Sequence, residues 1–509
     1  MKRFLSLLLI ASTCLVACQS EPSSNTGTTS DTTASKVTTT AAPDKKPVVK
    51  EDYSHLFAPA ERFGNVKVNE FAADGNYITG NYSTVNGETV QKYPRLTNLP
   101  TLYLEFPEGK SLSSVEHGVY TDATYTFVDE YVEHSYYNLP LQIKGRGNYS
   151  WSFQQKPYSL KLGEKADFLG MGAAKKWTLI TVGSDKSMMH NYLTQKLAAA
   201  MGLRGTCENE YVDVVVNGVY KGTWVLTEKI QIHEERIDVP EEIGVLFEIE
   251  MVYRHTCDFC IELYDNKWNR SESVHLCLKT YKGVDIEDMD IRSREAAREE
   301  LQPFFDNITA AMTDSRASLK KLEKYIDVDS FVNWYLLNEM TRNYDSKFVT
   351  SCYCFINEEG KLYMGPVWDF DTCYGIQTPD TDGYWVSQAP WYTWLLDCPE
   401  FFRLTQERWT ELQDSGLLDS FHASIGQTAE RIAQSEKLNH TLYPVSELRN
   451  DSFEGSVQFF QDWLTARLEW MDSEFYIEGL YNDPPVAPPP AVTTTTVTTT
   501  KRPARYPKS

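Results

Sequence analysis

The sequence is short of positive charge. Its 49 lysine and arginine residues stand against 71 aspartate and glutamate residues, which gives a formal net charge of -22. Such a charge repels nucleic-acid phosphates, and no stripe of basic residues interleaved with aromatic residues offsets it. We therefore expect no nucleic-acid partner.

Long apolar runs and internal repeats are missing as well. No segment approaches the roughly 18 uninterrupted apolar residues that mark a transmembrane helix. No repeat suggests a solenoid. Apolar residues are nevertheless plentiful, at 41% hydrophobic and 13% aromatic in 509 residues, which excludes a largely disordered chain. The sequence predicts a folded body with a substantial core.

The first residues predict export. Lys2 and Arg3 precede a short apolar stretch at 4–13, and residues 15–18 read LVAC. This pattern resembles the lipobox of bacterial lipoproteins, in which the small Ala17 allows cleavage before Cys18 and the Cys18 thiol takes lipid. We expect an extracytoplasmic, membrane-anchored lipoprotein at the cell surface. The alternative is an ordinary secretory signal with a chance cysteine.

Composition divides the chain into five parts. We predict a lipoprotein signal peptide, a Ser/Thr-rich disordered tether, an N-terminal extension of unknown role, one large folded domain and a Pro/Thr-rich disordered tail. These parts cover, in order, residues 1–17, 18–50, 51–94, 95–480 and 481–509.

Periodicity and capping residues predict an α+β fold with a helical C-terminal part. Asn217-Gly218 between two β-rich runs is a strong hairpin signal, and Ser184 and Asp185 precede an amphipathic run that stops at Gly202. The predicted strands include 102–106, 139–143, 211–216 and 220–226. The predicted helices include 190–201, 331–340, 401–412, 417–435 and 456–475.

The most informative stretch carries three aspartates. The helix at 331–340 leads into a loop with Asp345, and the strands predicted at 348–356 and 361–364 form a hairpin around a turn. The returning strand brings Asp369 and Asp371 back beside Asp345. Three converging carboxylates need a counter-charge, and oxygen ligands of this kind suit Mg²⁺ or Mn²⁺. The alternative is a tight turn with solvated carboxylates.

A series of short motifs in the same order resembles the CotH kinase family. The stretch MGPVWDFD at 364–371 carries the resemblance, together with Asn338-Glu339 and Asn343-Tyr344-Asp345 upstream. Further matches are KGRGNYSW at 144–151, KPYSLKL at 156–162, WTL at 177–179, the helix start at 185–191, YVD at 211–213 and LTEKI at 226–230. The resemblance spans roughly residues 95–380 and extends to the helices near 475.

This resemblance implies an atypical, two-lobed protein-kinase-like fold that uses ATP with Mg²⁺. The γ-phosphoryl group would pass to a Ser or Thr of an exported protein. By the resemblance, Asp345 acts on the acceptor hydroxyl and Asp369 holds the metal, with Asp371 and Asn343 as weaker metal candidates. The family often has Asn at the position of Ser351 and Arg at the position of His190, so this chain departs from the family pattern at both.

The nucleotide-binding residues that the resemblance implies are less defined. The turn at Arg146 would approach the phosphates, Lys156 or Lys161 would contact them, and Glu228 would hold that lysine. The alternative function is a catalytically weak, surface-displayed binding or assembly module on the same fold. A carbohydrate-active enzyme is suggested only by acid and aromatic content, with no carboxylate pair of defined separation.

Eight cysteines follow Cys18, and for an exported chain they favour disulfides. The alternative is a zinc site that uses three of these cysteines and one histidine, although the second C-x-x-C half is missing. The eight are Cys207, Cys257, Cys260, Cys277, Cys352, Cys354, Cys373 and Cys398, and the zinc alternative takes Cys257, Cys260 and Cys277 with His255 or His275.

Overall fold

A computed structural model describes much of the chain. It covers residues 47–58, 83–85, 88–90, 93, 97–128, 136–250, 258–265, 270–313, 319–444 and 452–481, all within one compact unit, Lys46–Ser509. The predicted signal peptide with Cys18, most of the tether, nearly all of the tail, and Cys257 with His255 lie outside the described residues.

Seven strands form a closed barrel in the order β3-β4-β5-β6-β7-β9-β8. A parallel pairing of β3 with β8 closes it, while the other neighbours are antiparallel. A separate strand pair, β1 (Ser83–Val85) and β2 (Glu88–Val90), precedes the barrel. The barrel strands are β3 (Thr101–Glu105), β4 (Thr121–Val128), β5 (Tyr136–Gly145), β6 (Tyr158–Ala166), β7 (Ala174–Ile180), β8 (Asn209–Val216) and β9 (Val219–Glu228).

Alternating side chains fill the barrel. Ile143, Leu160 and Trp177 are buried in one cluster, so their neighbours along each strand face the outside of the barrel. Asn217 and Gly218 have positive φ and join β8 to β9, which confirms the predicted hairpin.

A second antiparallel sheet has the order β11-β12-β10-β14-β15, with β13 paired to β12. One face of this sheet packs in the large core that also takes in most of the helices. Its strands are β10 (Val245–Ile249), β11 (Phe259–Asp265), β12 (Arg270–Tyr281), β13 (Val284–Asp285), β14 (Cys352–Ile356) and β15 (Leu362–Met364).

The helices confirm an α+β fold with a helical C-terminal part. Within the described residues, no helix has the length and apolar character of a membrane span. The helices are α1 (Ser54–Phe57), α2 (His190–Ala200), α3 (Ile291–Thr313), α4 (Leu319–Leu322), α5 (Val328–Thr341), α6 (Tyr392–Leu395), α7 (Pro399–Asp414), α8 (Leu417–Leu442) and α9 (Phe453–Phe475).

One predicted strand is shorter than expected. The run at 348–356 becomes a strand only from Cys352, because Phe348 and Ser351 adopt left-handed backbone with φ of 61° and 56°. Left-handed residues interrupt an extended strand, so residues 348–351 form turns that shape the loop after Asp345.

A buried carboxylate joins the barrel to α8. Asp213 on β8 accepts hydrogen bonds from the hydroxyls of Thr223 at 2.8 Å, Thr97 at 2.6 Å, Tyr220 at 3.3 Å and Ser435 at 3.2 Å. Burial raises the pKa of Asp213 to about 6, although the four hydroxyls favour the charged form.

This pKa predicts a pH-dependent stability. The folded state binds the proton more tightly than the unfolded chain, so the contribution of Asp213 falls as pH rises from about 4 to about 6 and is then constant. Relative to Asp213→Asn, the free energy of unfolding of the wild type should fall by up to about 3 kcal/mol over that range. Urea denaturation of both proteins across this range measures the difference, and a pH-independent difference would contradict the assignment.

Candidate functional site

The loop after α5 presents Asp345. The α5 helix ends at Thr341, and the Asn343 side-chain oxygen then accepts the backbone N–H of Asp345 at 3.1 Å. The Asn343 amide donates to the Asn338 side chain at 3.3 Å, and the Trp385 indole donates to the Asn343 carbonyl at 2.6 Å. These bonds hold the half-buried Asp345 at the start of a short 3-10 turn, Asp345–Lys347.

The predicted hairpin brings the other aspartates back to this loop. Strands β14 and β15 pair in antiparallel register, with Cys354 opposite Met364. The chain then runs to Asp369, whose carboxylate accepts the Ser351 hydroxyl at 3.3 Å. The sequence prediction that Asp345, Asp369 and Asp371 approach one another is supported electrostatically, because the charge of Asp345 acts on Asp371.

The start of α2 fixes the aspartate segment from the other side. The Asn191 side chain accepts the backbone N–H of Phe370 at 2.7 Å, between the two aspartates, and the Ser184 hydroxyl donates to Asp371 at 2.9 Å. Asp185 caps the helix by accepting the backbone N–H of His190 at 2.9 Å. Sequence reasoning assigned no site role to Ser184 or Asn191, although the family-like stretch at 185–191 included Asn191.

Asp369 and Asp371 behave as a pair. Burial raises the pKa of both carboxyls, and for Asp371 the charge of Asp369 and that of Asp345 raise it further. The Arg146 guanidinium opposes this rise at Asp369. Two like charges so close disfavour each other's ionisation, and a bound cation would relieve this repulsion.

Several non-glycine residues around the site have left-handed backbone, which costs about 1–3 kcal/mol each and is concentrated at functional sites in proteins. The φ values lie between 49° and 66°. These residues are Arg342, Phe348, Ser351, Asp369 and Tyr374.

The carboxylates of Asp369 and Asp371 fit a magnesium site that has few protein ligands. Among the described residues, no group of three or more His, Cys, Asp or Glu side chains is arranged to hold a metal ion. Magnesium, however, commonly takes only one or two carboxylates and completes its shell with phosphate oxygens and water. Asp369 and Asp371 supply that pair, whereas the Asn343 side chain is already hydrogen-bonded to Asn338 on α5 and to the Asp345 backbone.

Among the candidate nucleotide-binding residues, Arg146 is the one that the structure brings close to the aspartates. Its guanidinium lies 5.1 Å from the centre of the Trp368 ring, and its charge acts on Asp369. Lys156 instead donates to the Trp151 carbonyl at 2.5 Å and lies 4.3 Å from the Trp151 ring. The geometry therefore places Arg146, but not Lys156, in contact with the aspartate segment.

Glu228 does not match its predicted role as the partner of Lys156 or Lys161. Its buried carboxylate forms an ion pair with the Arg236 guanidinium at 2.5 Å and accepts a hydrogen bond from the backbone N–H of Glu208 at 2.9 Å. The reason is register: Glu228 lies opposite Trp177 and so shares the inner side of the barrel, whereas Lys161 is exposed on the outside.

A group of lysines that we name the lysine wall was missed in the sequence. Lys176 and Lys229 lie 2.7 and 3.9 Å from the Asp285 carboxylate, and Lys144 and Lys161 lie over the Tyr120 ring at 4.6 and 5.7 Å. The charge of Lys144 and that of Lys176 both act on Lys229. The signal was the alternation in β5, β6 and β7, since each of Lys144, Lys161 and Lys176 follows or precedes an inward apolar residue.

The disulfide prediction is wrong for three cysteines. Cys352, Cys354 and Cys373 are buried free thiols, and burial raises their pKa. The Cys352 thiol donates to the Asp345 carbonyl at 3.2 Å, so it supports the loop. The zinc alternative is not tested, because Cys257 and His255 lie outside the described residues.

Comparison with known proteins agrees with the motif series. The family model described as CotH kinase protein matches residues 143–471, which lie within the predicted domain and contain all the candidate site residues except Cys18. The chain is also similar to the inner spore coat protein H of Bacillus subtilis (strain 168). The two are 22% identical over 280 residues, which cover 55% of this chain and 70% of that protein.

Proposed function

The chain belongs to the CotH kinase protein family, and from that premise we propose that it is an atypical protein kinase. Its substrates would be ATP, used with Mg²⁺ or Mn²⁺, and a Ser or Thr of an exported protein. One observation supports the proposal most: separate elements position Asp345 and the Asp369–Asp371 segment, and the charge of Asp345 acts on Asp371.

Phosphoryl transfer asks a protein mainly to position its reactants and to balance charge. Asp369 and Asp371 would hold the metal ion, which neutralises charge on the phosphate oxygens when it is bound. Asp345 would orient the acceptor hydroxyl and accept its proton. Asn343 acts through Asp345, because its side chain accepts the Asp345 backbone N–H.

The basic side of the site would bind the phosphates. Arg146 directly follows β5 and lies next to Asp369. The lysine wall begins on the outer face of β5 with Lys144 and continues on β6 and β7. Lys161 belongs to that wall, whereas Lys156 is held by Trp151. We therefore favour Lys161 over Lys156 as a phosphate contact.

The direct test is transfer of labelled phosphate. The purified protein, incubated with γ-labelled ATP and Mg²⁺, should label itself or an exported protein on Ser or Thr, and removal of the metal by a chelator should stop the labelling. ATP binding without any transfer would favour the alternative, a binding or assembly module on the same fold.

We further propose that the protein is exported and anchored through lipid on Cys18. The basic and apolar residues before LVAC at 15–18 support this location. Growth of producing cells with a labelled fatty acid should label the wild type and leave Cys18→Ser unlabelled. Equal labelling of both proteins would place the lipid elsewhere.

A further inference from the structure

Two cations lie on one tryptophan beside Asp345. The Lys347 ammonium lies 3.6 Å from the centre of the Trp385 ring, and the Arg342 guanidinium lies 4.8 Å from it. Lys347 ends the 3-10 turn that Asp345 begins, and Arg342 directly follows α5. The cations and the acceptor-side aspartate therefore share one short loop.

These cations are not neutralised by ion pairs. Within the part of the chain that the structure describes, neither Lys347 nor Arg342 has a carboxylate within 4.0 Å. Lys347 donates to the Gln388 side-chain oxygen at 3.2 Å, and Arg342 donates to the Asp380 carbonyl. The Arg342 Nε is buried and has no hydrogen-bond partner among the described residues.

The surrounding charges leave room for an anion. The charges of Glu339, Asp380 and Asp382 attract Arg342 from a distance. Among the described carboxylates, Glu339 is the one that attracts Lys347, and Arg342 repels it. Among the described residues, these two cations on one ring form a local excess of positive charge in a chain of net charge -22. A half-buried ammonium on an indole ring can bind an anion by a charge-assisted hydrogen bond.

We propose that Lys347, supported by Arg342 and Trp385, selects acceptor proteins that carry an anionic group close to the Ser or Thr to be phosphorylated. This inference rests on the proposed kinase function. The anionic group is a carboxylate or a phosphate, and in the second case one phosphorylation would promote the next along a Ser/Thr-rich acceptor.

The test compares acceptor peptides that differ at one residue beside the acceptor serine. The neighbouring residue is Glu, phosphoserine, Gln or Lys, and kcat/KM is measured for each peptide. The wild type should prefer the anionic peptides over the Gln peptide by about tenfold. Lys347→Gln should reduce this ratio toward one through the KM for the peptide, and Lys347→Glu should shift the preference to the Lys peptide.

Lys437→Gln, at an exposed position on α8, is the matched control and should keep the wild-type ratios. A preference for phosphoserine alone would identify phosphate as the recognised group, and equal preference would identify charge. A wild type that phosphorylates all four peptides equally would overturn this inference and leave the kinase function standing. If the wild type phosphorylates neither these peptides nor any protein, that result would instead count against the kinase function itself.

Discussion

Asp345→Asn is expected to lower phosphoryl transfer by about 100- to 10,000-fold, the range typical of a lost general base. Asparagine keeps the shape of the side chain but cannot accept the hydroxyl proton. Asp369→Asn should lower transfer at least as far, because it removes one of the two carboxylates expected to hold the metal. Initial rates with γ-labelled ATP and saturating Mg²⁺ measure both losses.

Stability measurements separate these losses from misfolding. The Asp369 and Asp371 carboxyls resist ionisation because burial and mutual repulsion raise their pKa, so Asp369→Asn should not lower the free energy of unfolding. Asp462→Asn, on the exposed surface of α9, is the matched control and should keep full activity. Wild-type rates in Asp345→Asn or Asp369→Asn would remove these residues from the reaction.

Arg467→Met is expected to destabilise the fold by about 3–5 kcal/mol, as is typical when one partner of a buried ion pair is removed. Arg467 and Glu339 are fully buried and lie 2.7 Å apart. Arg467 also donates to the carbonyls of Thr381 at 2.6 Å and Gly383 at 3.0 Å. Without Arg467, the buried Glu339 carboxylate loses its ion-pair partner.

The pair also supports the loop that carries Asp345. Glu339 accepts the backbone N–H of Trp385 at 2.5 Å and that of Val386 at 2.7 Å, and Trp385 in turn donates to Asn343. Arg467→Met should therefore reduce phosphoryl transfer in addition to stability. Urea denaturation and the transfer assay on the same preparation measure the two effects.

An exposed ion pair provides the control for this prediction. Arg403 and Glu407 on α7 lie 3.0 Å apart, and the Arg403 side chain is 44% exposed. Arg403→Met should therefore change the free energy of unfolding by less than about 1 kcal/mol. The double variant Arg467→Met with Glu339→Gln should recover part of the lost stability, since it removes the unbalanced charge. Equal small effects at both sites would show that the buried pair has no special role.

Local signals predicted the secondary structure around the three aspartates. Asn217-Gly218 specified a hairpin, Gly202 ended a helix, and the run from 348 to 364 specified the β14–β15 hairpin that carries Asp369 back to Asp345. Each of these features depends on residues close together in the sequence. Short-range patterns are therefore sufficient to predict these hairpins and this helix end.

Features that depend on distant pairing were not predictable in this way. The parallel pairing of β3 with β8 closes the barrel between strands far apart in the sequence, and no local pattern specifies it. The pairing of β7 with β9 is also non-local, and it decides that Glu228 lies opposite Trp177 and faces inward to Arg236. The two-lobed arrangement implied by the resemblance stays a prediction, since the structure establishes an α+β fold with a seven-stranded barrel.

The most direct test of the proposed site is calorimetric titration of ATP into the purified protein near neutral pH, with and without Mg²⁺. We expect binding that requires Mg²⁺, is lost in Asp369→Asn and weakens as the pH falls, because the raised pKa of the Asp369–Asp371 pair makes protons compete with the metal. ATP binding of equal strength in the wild type and in folded Asp369→Asn, or no binding by the folded wild type, would contradict the assignment of this site.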